Sequence, residues 1–228
     1  MFQKYLIIFT IFFLSLVVHG QDVVNDCGSR ISVSVQKKIN DQFTVFGKVQ
    51  GRLAENFRLF NRVYFRVGLD YNLNDHLTFT ACGNYMLSRG GFKEMDKSYR
   101  YSAAVTYKTK LTELFSISNK LMYQNTEDYV LNSDIIKQKT SGVIRNKTSL
   151  KYKINRRGSA YISEELLWQI SGKKEKYFGR NRVYLGYIHK INAKLEVEPY
   201  FILERTFNKA NGPQTRTFYY CVNFGYSF

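Results

Sequence analysis

Chemistry in this chain has few side chains to work with. Beyond residue 20 there are two histidines, His76 and His189, and each falls beside a tight-turn signal. Nucleophilic catalysis needs a base within hydrogen-bond reach of its nucleophile, and no arrangement in the sequence supplies that pair. The carboxylate pairs Glu164-Glu165 and Glu196/Glu198 have the residue types for acid–base work, but a role in neutralising nearby cations suits them better. No histidine pair has ligand spacing, and the three cysteines form no metal-binding pair. Glu127, Asp128 and Asp134 could present oxygens to calcium, yet they follow no calcium-loop spacing. Arg89-Gly90-Gly91-Phe92 reads as an exposed loop tip rather than a phosphate-cradling turn. The expectation is a non-enzyme with no metal and no cofactor.

The other chemistry is charge. Lysine and arginine total 34 against 18 acids, giving a formal net charge of +16. Such an excess suits nucleic acid or anionic membrane partners. A nucleic-acid surface would need basic residues interleaved with aromatics on a folded module, and none is present, so no nucleic-acid partner is expected. Instead the cations fall on alternate positions of extended stretches. Arg62, Arg66, Arg100, Arg145, Lys147 and Arg182 share the polar parity of their segments. Asp70, Glu165, Glu196 and Glu198 share it too, with Glu204 a further candidate. Period two places such residues on one face of a strand, so the pattern predicts a sheet with a cationic side.

The stretch that defines this sheet is Thr215–Phe228. Phe218, Tyr220, Val222, Phe224, Tyr226 and Phe228 alternate with Thr217, Cys221, Asn223, Gly225 and Ser227, and Tyr219 is the exception. A strand closing on an aromatic is similar to the last strand of outer-membrane β-barrels. On that likeness Phe224, Tyr226 and Phe228 form the signal read by the barrel-assembly machinery.

The segments before it fit the same plan. Residues 1–20 combine Lys4 with the apolar run Tyr5–Val18 and small residues near Gly20, as in a cleaved export signal. Cleavage before Gln21 would remove Lys4 and lower the net charge to +15. Candidate strands then follow at 29–39, 42–54, 60–73, 76–88, 97–110, 112–126, 140–154, 158–171, 178–191, 193–207 and 215–228. Tight turns at Asn40-Asp41, Asn74-Asp75, Leu111-Thr112, Asn155–Gly158 and Asn192-Ala193 alternate with longer connections near 55–59, 89–96, 127–139, 172–177 and 208–214. Short turns opposite long loops predict an all-β, antiparallel, up-and-down transmembrane β-barrel over residues 21–228. With both ends on the short-turn side the strand number should be even. Gln21–Gly28 then supplies part of a further strand, giving about twelve, with ten as the alternative. Aromatic girdles are expected at Tyr71, Tyr107, Tyr152 and Tyr226 near the turns, and at Tyr85, Tyr99, Tyr123 and Trp168 near the loops. Asn119, Asn146 and Glu164 fall on the lipid parity, and Pro199 predicts a bulge that shifts register.

Gly28–Ile39, then Arg145–Ile154, Tyr161–Glu165 and Asn181-Arg182-Val183-Tyr184-Leu185-Gly186-Tyr187, leading into Leu195–Glu204, resemble the domain of unknown function 2490 family. The resemblance implies an outer-membrane β-barrel of a Gram-negative bacterium and transfers no site residue. Two functions are carried forward. One is a small anion-preferring pore or solute-binding barrel, whose partners would be outer-membrane lipid and a small anionic solute. The alternative is a plugged structural or interaction barrel that uses its outer loops, with a lipid-modifying enzyme behind both.

Overall fold

The computed structural model describes residues 23–89, 95–132, 135–171, 177–207 and 214–228. Residues 1–20, the Gly90-Gly91-Phe92 tip and Asp134 lie outside them. Eleven strands form a closed barrel: β1 (Val23–Lys38), β2 (Phe43–Ala54), β3 (Leu59–Asn72), β4 (Leu77–Arg89), β5 (Met95–Lys110), β6 (Phe115–Asn132), β7 (Ile135–Lys153), β8 (Gly158–Gln169), β9 (Tyr177–Lys190), β10 (Leu195–Thr206) and β11 (Gln214–Ser227). Sequential strands pair antiparallel, and β1 closes the ring against β11.

One rim is built from five turns of a single design. Residues 39–42, 73–76, 111–114, 154–157 and 191–194 each join two strands. The side-chain oxygen of Asn40, Asn74, Thr112, Asn155 or Asn192 accepts from the backbone N–H groups two and three residues on. Behind each, the preceding residue donates its backbone N–H to the first residue of the next strand, as in Ile39 to Phe43 and Ile191 to Leu195. A short side chain that imitates a backbone turn explains why Asn recurs here. The same connections were legible as turn signals.

The opposite rim differs from its expected shape in one place. Residues 127–132 and 135–139, expected in a loop, continue β6 and β7 as a ladder that reaches Asn132 paired with Ile135. Between β2 and β3 the chain turns through Glu55, Asn56 and Phe57, whose φ values are 52°, 54° and 67°. Left-handed backbone is costly for residues with a Cβ. Asn56 is held there by donating its N–H to the Cys27 carbonyl and to Asp26 Oδ1.

The strand number is odd, between the two even counts expected. Residues 23–28 do not form a separate strand. They are the first part of β1, which runs unbroken for 16 residues. β1 therefore starts at the loop end and lies parallel to β11, with Val23 beside Gln214 and Gln36 beside Ser227. Parallel closure removes the requirement for an even count. Pro199 is a second correction, because the register through it does not shift: it pairs with Val222, and the β9–β10 ladder keeps one register on either side of a gap at residues 198–199. The missing N–H falls on the β9 side, where the ladder omits those bonds. Register shifts occur instead at Arg52/Leu53 and Leu167/Trp168.

The outside of the barrel is apolar. Val67 is 68% exposed and Leu185 60%, values that make sense when the surrounding solvent is hydrocarbon. Aromatic rings group toward the rims. Near the turns they include Phe43–Tyr71, Phe115–Tyr152 and Tyr226–Phe228, and near the loops Tyr85–Tyr99, Tyr99–Tyr129 and Trp168–Phe178. No helix among the described residues is long and apolar enough to cross a membrane.

Candidate functional site in the lumen

Alternation sends one residue in two into the lumen, and those residues are mostly polar, with most of the strands' ionised side chains among them. Arg62, Arg66, Arg100, Arg145, Lys147 and Arg182 all point inward, as do Asp70, Glu165, Glu196 and Glu198. What the barrel adds is which of them meet.

On the wall formed by β7–β11 and β1, cations and acids interlock. Arg145 donates through Nε to Glu165 Oε1 at 3.0 Å and through Nη1 to Gln124 Oε1 at 2.9 Å. Arg182 donates to Glu165 Oε2 at 3.1 Å and through Nε to Glu204. Arg30 reaches Glu204 at 3.5 Å and Arg180 reaches it at 3.8 Å. Tyr184 adds its hydroxyl to Glu165 Oε2 at 2.8 Å. Glu165 is 3% exposed and Glu204 6%, so both carboxylates are buried, paired and hydrogen-bonded to arginine, the condition under which buried charge is tolerated. Below them Ile202, Tyr184 and Cys221 pack with Tyr161, Tyr200 and Tyr219 and fill this side of the lumen. Tyr161 lies flat over Gly186, where a Cβ would overlap its ring, and donates to Glu198 Oε1 at 2.7 Å.

Across the lumen, β2–β6 present cations with neutral partners. Arg52 donates to Gln50 Oε1 at 3.0 Å and 3.1 Å and stacks on the Tyr64 ring at 4.1 Å. Arg62 donates to the Tyr64 hydroxyl at 3.2 Å, Arg66 to Asn84 Oδ1 at 2.6 Å and Arg100 to Thr126 Oγ1 at 3.0 Å. None of these four has an ion-pair partner among the described residues. Asp70 accepts from Thr80 rather than from an arginine. The Arg62 Nε is buried without a hydrogen-bond partner, as is the Arg30 Nε.

Between the walls lies a cavity of about 520 Å3, reaching from Lys48 and Arg66 up to Gly179, Arg180, Thr206 and Phe207 at the loop end. Eight arginines and Lys48 line it, against one acid, Asp128. A second cavity of about 230 Å3 continues toward the turns past Glu196, and it shares Lys48 and Arg66 with the first. Those two cations are cross-strand partners, and they line the border between the cavities. A third, of about 290 Å3, lies among Lys108, Lys110, Lys151, Lys153 and Lys190 at the turn end. The lumen is therefore basic along its whole height.

Several residues escaped the sequence reading. Tyr64 was visible only as an aromatic on the polar parity of β3, and it organises Arg52, Arg62 and Arg100. Arg180 enters the lumen by the same alternation as Arg182 and Tyr184 and lines the cavity at its loop end. Of the acids considered for calcium, Glu127 and Asp128 are sequential strand residues on opposite faces, and Asp134 lies outside the described residues. No metal-binding cluster occurs among the described residues. His76 donates through Nδ1 to the Lys108 carbonyl at 2.9 Å on the turn rim, and His189 is exposed beside Tyr187. Asn119 and Asn146 exchange hydrogen bonds on the outer face, and Asn181 donates to Glu164 there. Phe224 and Phe228 face outward, and the Phe228 N–H donates to the Gln36 carbonyl.

An apolar exterior around an ionised lumen defines a membrane-type β-barrel. The chain belongs to the family described as protein of unknown function (DUF2490), which matches residues 31–216. Among curated proteins none is similar to it in sequence. Among solved structures it is similar to the NanC porin, at 13% identity and a TM-score of 0.47, covering 78% of this chain and 86% of the other. It is also similar to the translocator domain of the autotransporter NalP from Neisseria meningitidis, at 10% identity and a TM-score of 0.40, covering 75% and 70%.

Proposed function

We propose that this protein is an outer-membrane barrel that binds small anionic solutes in its lumen and lets them pass. The carrying observation is the β2–β6 wall, where Arg52, Arg62, Arg66 and Arg100 face a cavity of about 520 Å3 with only neutral acceptors. A cavity of that size suits a small molecule. Cations in a narrow, low-dielectric passage attract anions and repel cations. The basic lining below Lys48 and Arg66 continues that preference to the other rim. The outer-membrane location is supported by the apolar, aromatic-girdled exterior and by the signal-like residues 1–20. Its partners are then membrane lipid, the assembly machinery that reads Phe224, Tyr226 and Phe228, and the solute. No catalytic step is proposed.

Planar-bilayer recording under a potassium chloride gradient tests the reading. The reversal potential should report chloride preference, and Arg62→Glu with Arg66→Glu should weaken or invert it. Potassium preference in the unaltered protein would refute the proposal. A second reading, a plugged structural barrel, is favoured by the buried Arg–Glu network and the tyrosine cluster on the other wall. Silence in the bilayer together with no binding of anionic solutes would select it.

A further inference from the structure

The β2–β3 ladder sets like charges opposite each other twice on its inner face. Arg52 pairs with Arg62 and Lys48 with Arg66, and the rung between them, Gln50 with Tyr64, is neutral. Cations directly opposite in a strand pair repel, and no carboxylate among the described residues is paired with these. Glu165 and Glu204 are engaged by the arginines of the other wall, and Asp128, the one acid lining the cavity, makes no ion pair there.

Arg100 on β5 joins the upper of the two rungs. Its guanidinium lies 5.8 Å from the Tyr64 ring, as does that of Arg62, and that of Arg52 lies at 4.1 Å. Three guanidiniums from three strands therefore meet around one buried side chain. Each is steadied by only part of its fork. Arg52 uses Nε and Nη2 on Gln50, Arg62 uses Nη1 on the Tyr64 hydroxyl, and Arg100 uses Nε on Thr126. All three side chains also line the cavity of about 520 Å3.

The number and directions of these donors select among anions. A carboxylate is planar, carries one charge and is satisfied by a single arginine fork. A phosphate monoester carries nearly two charges above about pH 7 and presents three terminal oxygens that do not share a plane with its body. Three arginines converging from different strands match the second shape. The cavity also exceeds what a phosphate group fills, and Val143, Leu167 and Phe207 give it apolar lining for an organic body.

We propose that Arg52, Arg62 and Arg100 form a saturable site for the phosphate group of a phosphorylated small molecule, with its body toward Val143 and Leu167. This rests on the lumen reading above and deepens it, because a cationic field selects by charge whereas convergent arginines define a bound state.

The test titrates the full-length protein, folded in detergent at constant ionic strength, with glycerol 3-phosphate, inorganic phosphate and succinate by calorimetry. Succinate matches the charge of the phosphates but spreads it over two planar carboxylates. Glycerol 3-phosphate should bind saturably and about tenfold or more tighter than succinate, the scale of charge-assisted bonds. Arg52→Gln with Arg100→Gln should abolish that binding while the barrel keeps its folded gel mobility. Lys37→Gln with Lys97→Gln removes the same charge from exposed positions and should leave it unchanged. Arg100→Lys keeps the charge and loses the fork, so discrimination against succinate should fall while chloride preference in the bilayer persists. Equal affinity for succinate and the phosphates, or unchanged binding in the glutamine variant, would overturn the site. Binding of inorganic phosphate with exclusion of glycerol 3-phosphate would overturn the organic body. Chloride preference in the bilayer without saturable phosphate binding would overturn this site alone, and potassium preference would overturn the lumen reading with it.

Discussion

The two walls of the lumen hold the same residue types and use them oppositely. On β8–β10, Glu165 and Glu204 each receive more than one arginine, so the buried carboxylates there have cationic counter-charges. On β2–β5, arginines are steadied by amides and hydroxyls, which orient the guanidinium and leave its charge uncompensated. A cation held by Gln50 or Thr126 is fixed in place yet still available to a solute. One paired with Glu165 is part of the architecture. The distinction assigns the Asn181–Tyr187 segment to architecture as well. Arg182 bridges the two glutamates, Tyr184 supports Glu165, and Gly186 makes room for Tyr161.

Breaking the paired wall should have the largest effect. Glu165→Ala leaves Arg145 without its carboxylate and Arg182 with Glu204 alone, and removing one member of a buried pair costs about 3–5 kcal/mol. Urea unfolding of the folded barrel in detergent, followed by gel mobility, should show that loss. A loss no greater than that of a surface substitution would mean that the network does not hold the wall. Gly186→Ala probes the same wall more gently. A methyl there meets the Tyr161 ring, and overpacking of this kind costs about 1–3 kcal/mol. Arg100→Gln should sharpen the contrast. With no carboxylate to strand, stability should change by less than about 1 kcal/mol, while chloride preference in the bilayer falls. A large destabilisation would erase the difference between the walls.

Much of this arrangement was legible in the sequence. The period of two assigns Arg62, Arg66, Arg145 and Glu165 to the inner face without knowing the barrel, because side-chain alternation is a local property. The turns were legible for the same reason, since Asn40, Asn74, Asn155 and Asn192 act within four residues. Pairing was not. Whether an inward arginine meets Glu165 or Gln50 depends on the relative stagger of neighbouring strands and on side chains that reach across them, as Arg145 does to Gln124 and Glu165. The role of Tyr64 depends on arginines from β2, β3 and β5 converging, which no local pattern records. The odd strand number was hidden because Asn25, Asp26 and Gly28 are turn-type residues, yet all three lie inside β1, where Gly28 packs against Leu53 and Tyr219.

The smallest effect is expected outside both walls. At the turn rim Lys38 donates to Asp41 at 2.8 Å, and this holds the Asp41 carboxyl below its ordinary range. A depressed carboxyl contributes stability above its unfolded pKa and loses it as pH falls through the folded value. Both groups are exposed, so Asp41→Asn and acidification through that range should leave the unfolding midpoint unchanged. A clear shift would show that the rim bears load that the walls do not.

The parallel closure also sets the order in which the barrel can form. Each antiparallel neighbour is joined through a short connection, so its pairing brings together residues already close along the chain. The seam does not: Ser32 hydrogen-bonds Asn223 across a separation of 191 residues. Relative to a hairpin closing over about a dozen residues, that contact costs about 2 kcal/mol more in chain entropy. Its return arrives only after the intervening strands have drawn the two ends together. Joining β1 to β11 is therefore the slow, late step of folding, and until it occurs the chain is a curved open sheet with two unpaired edges.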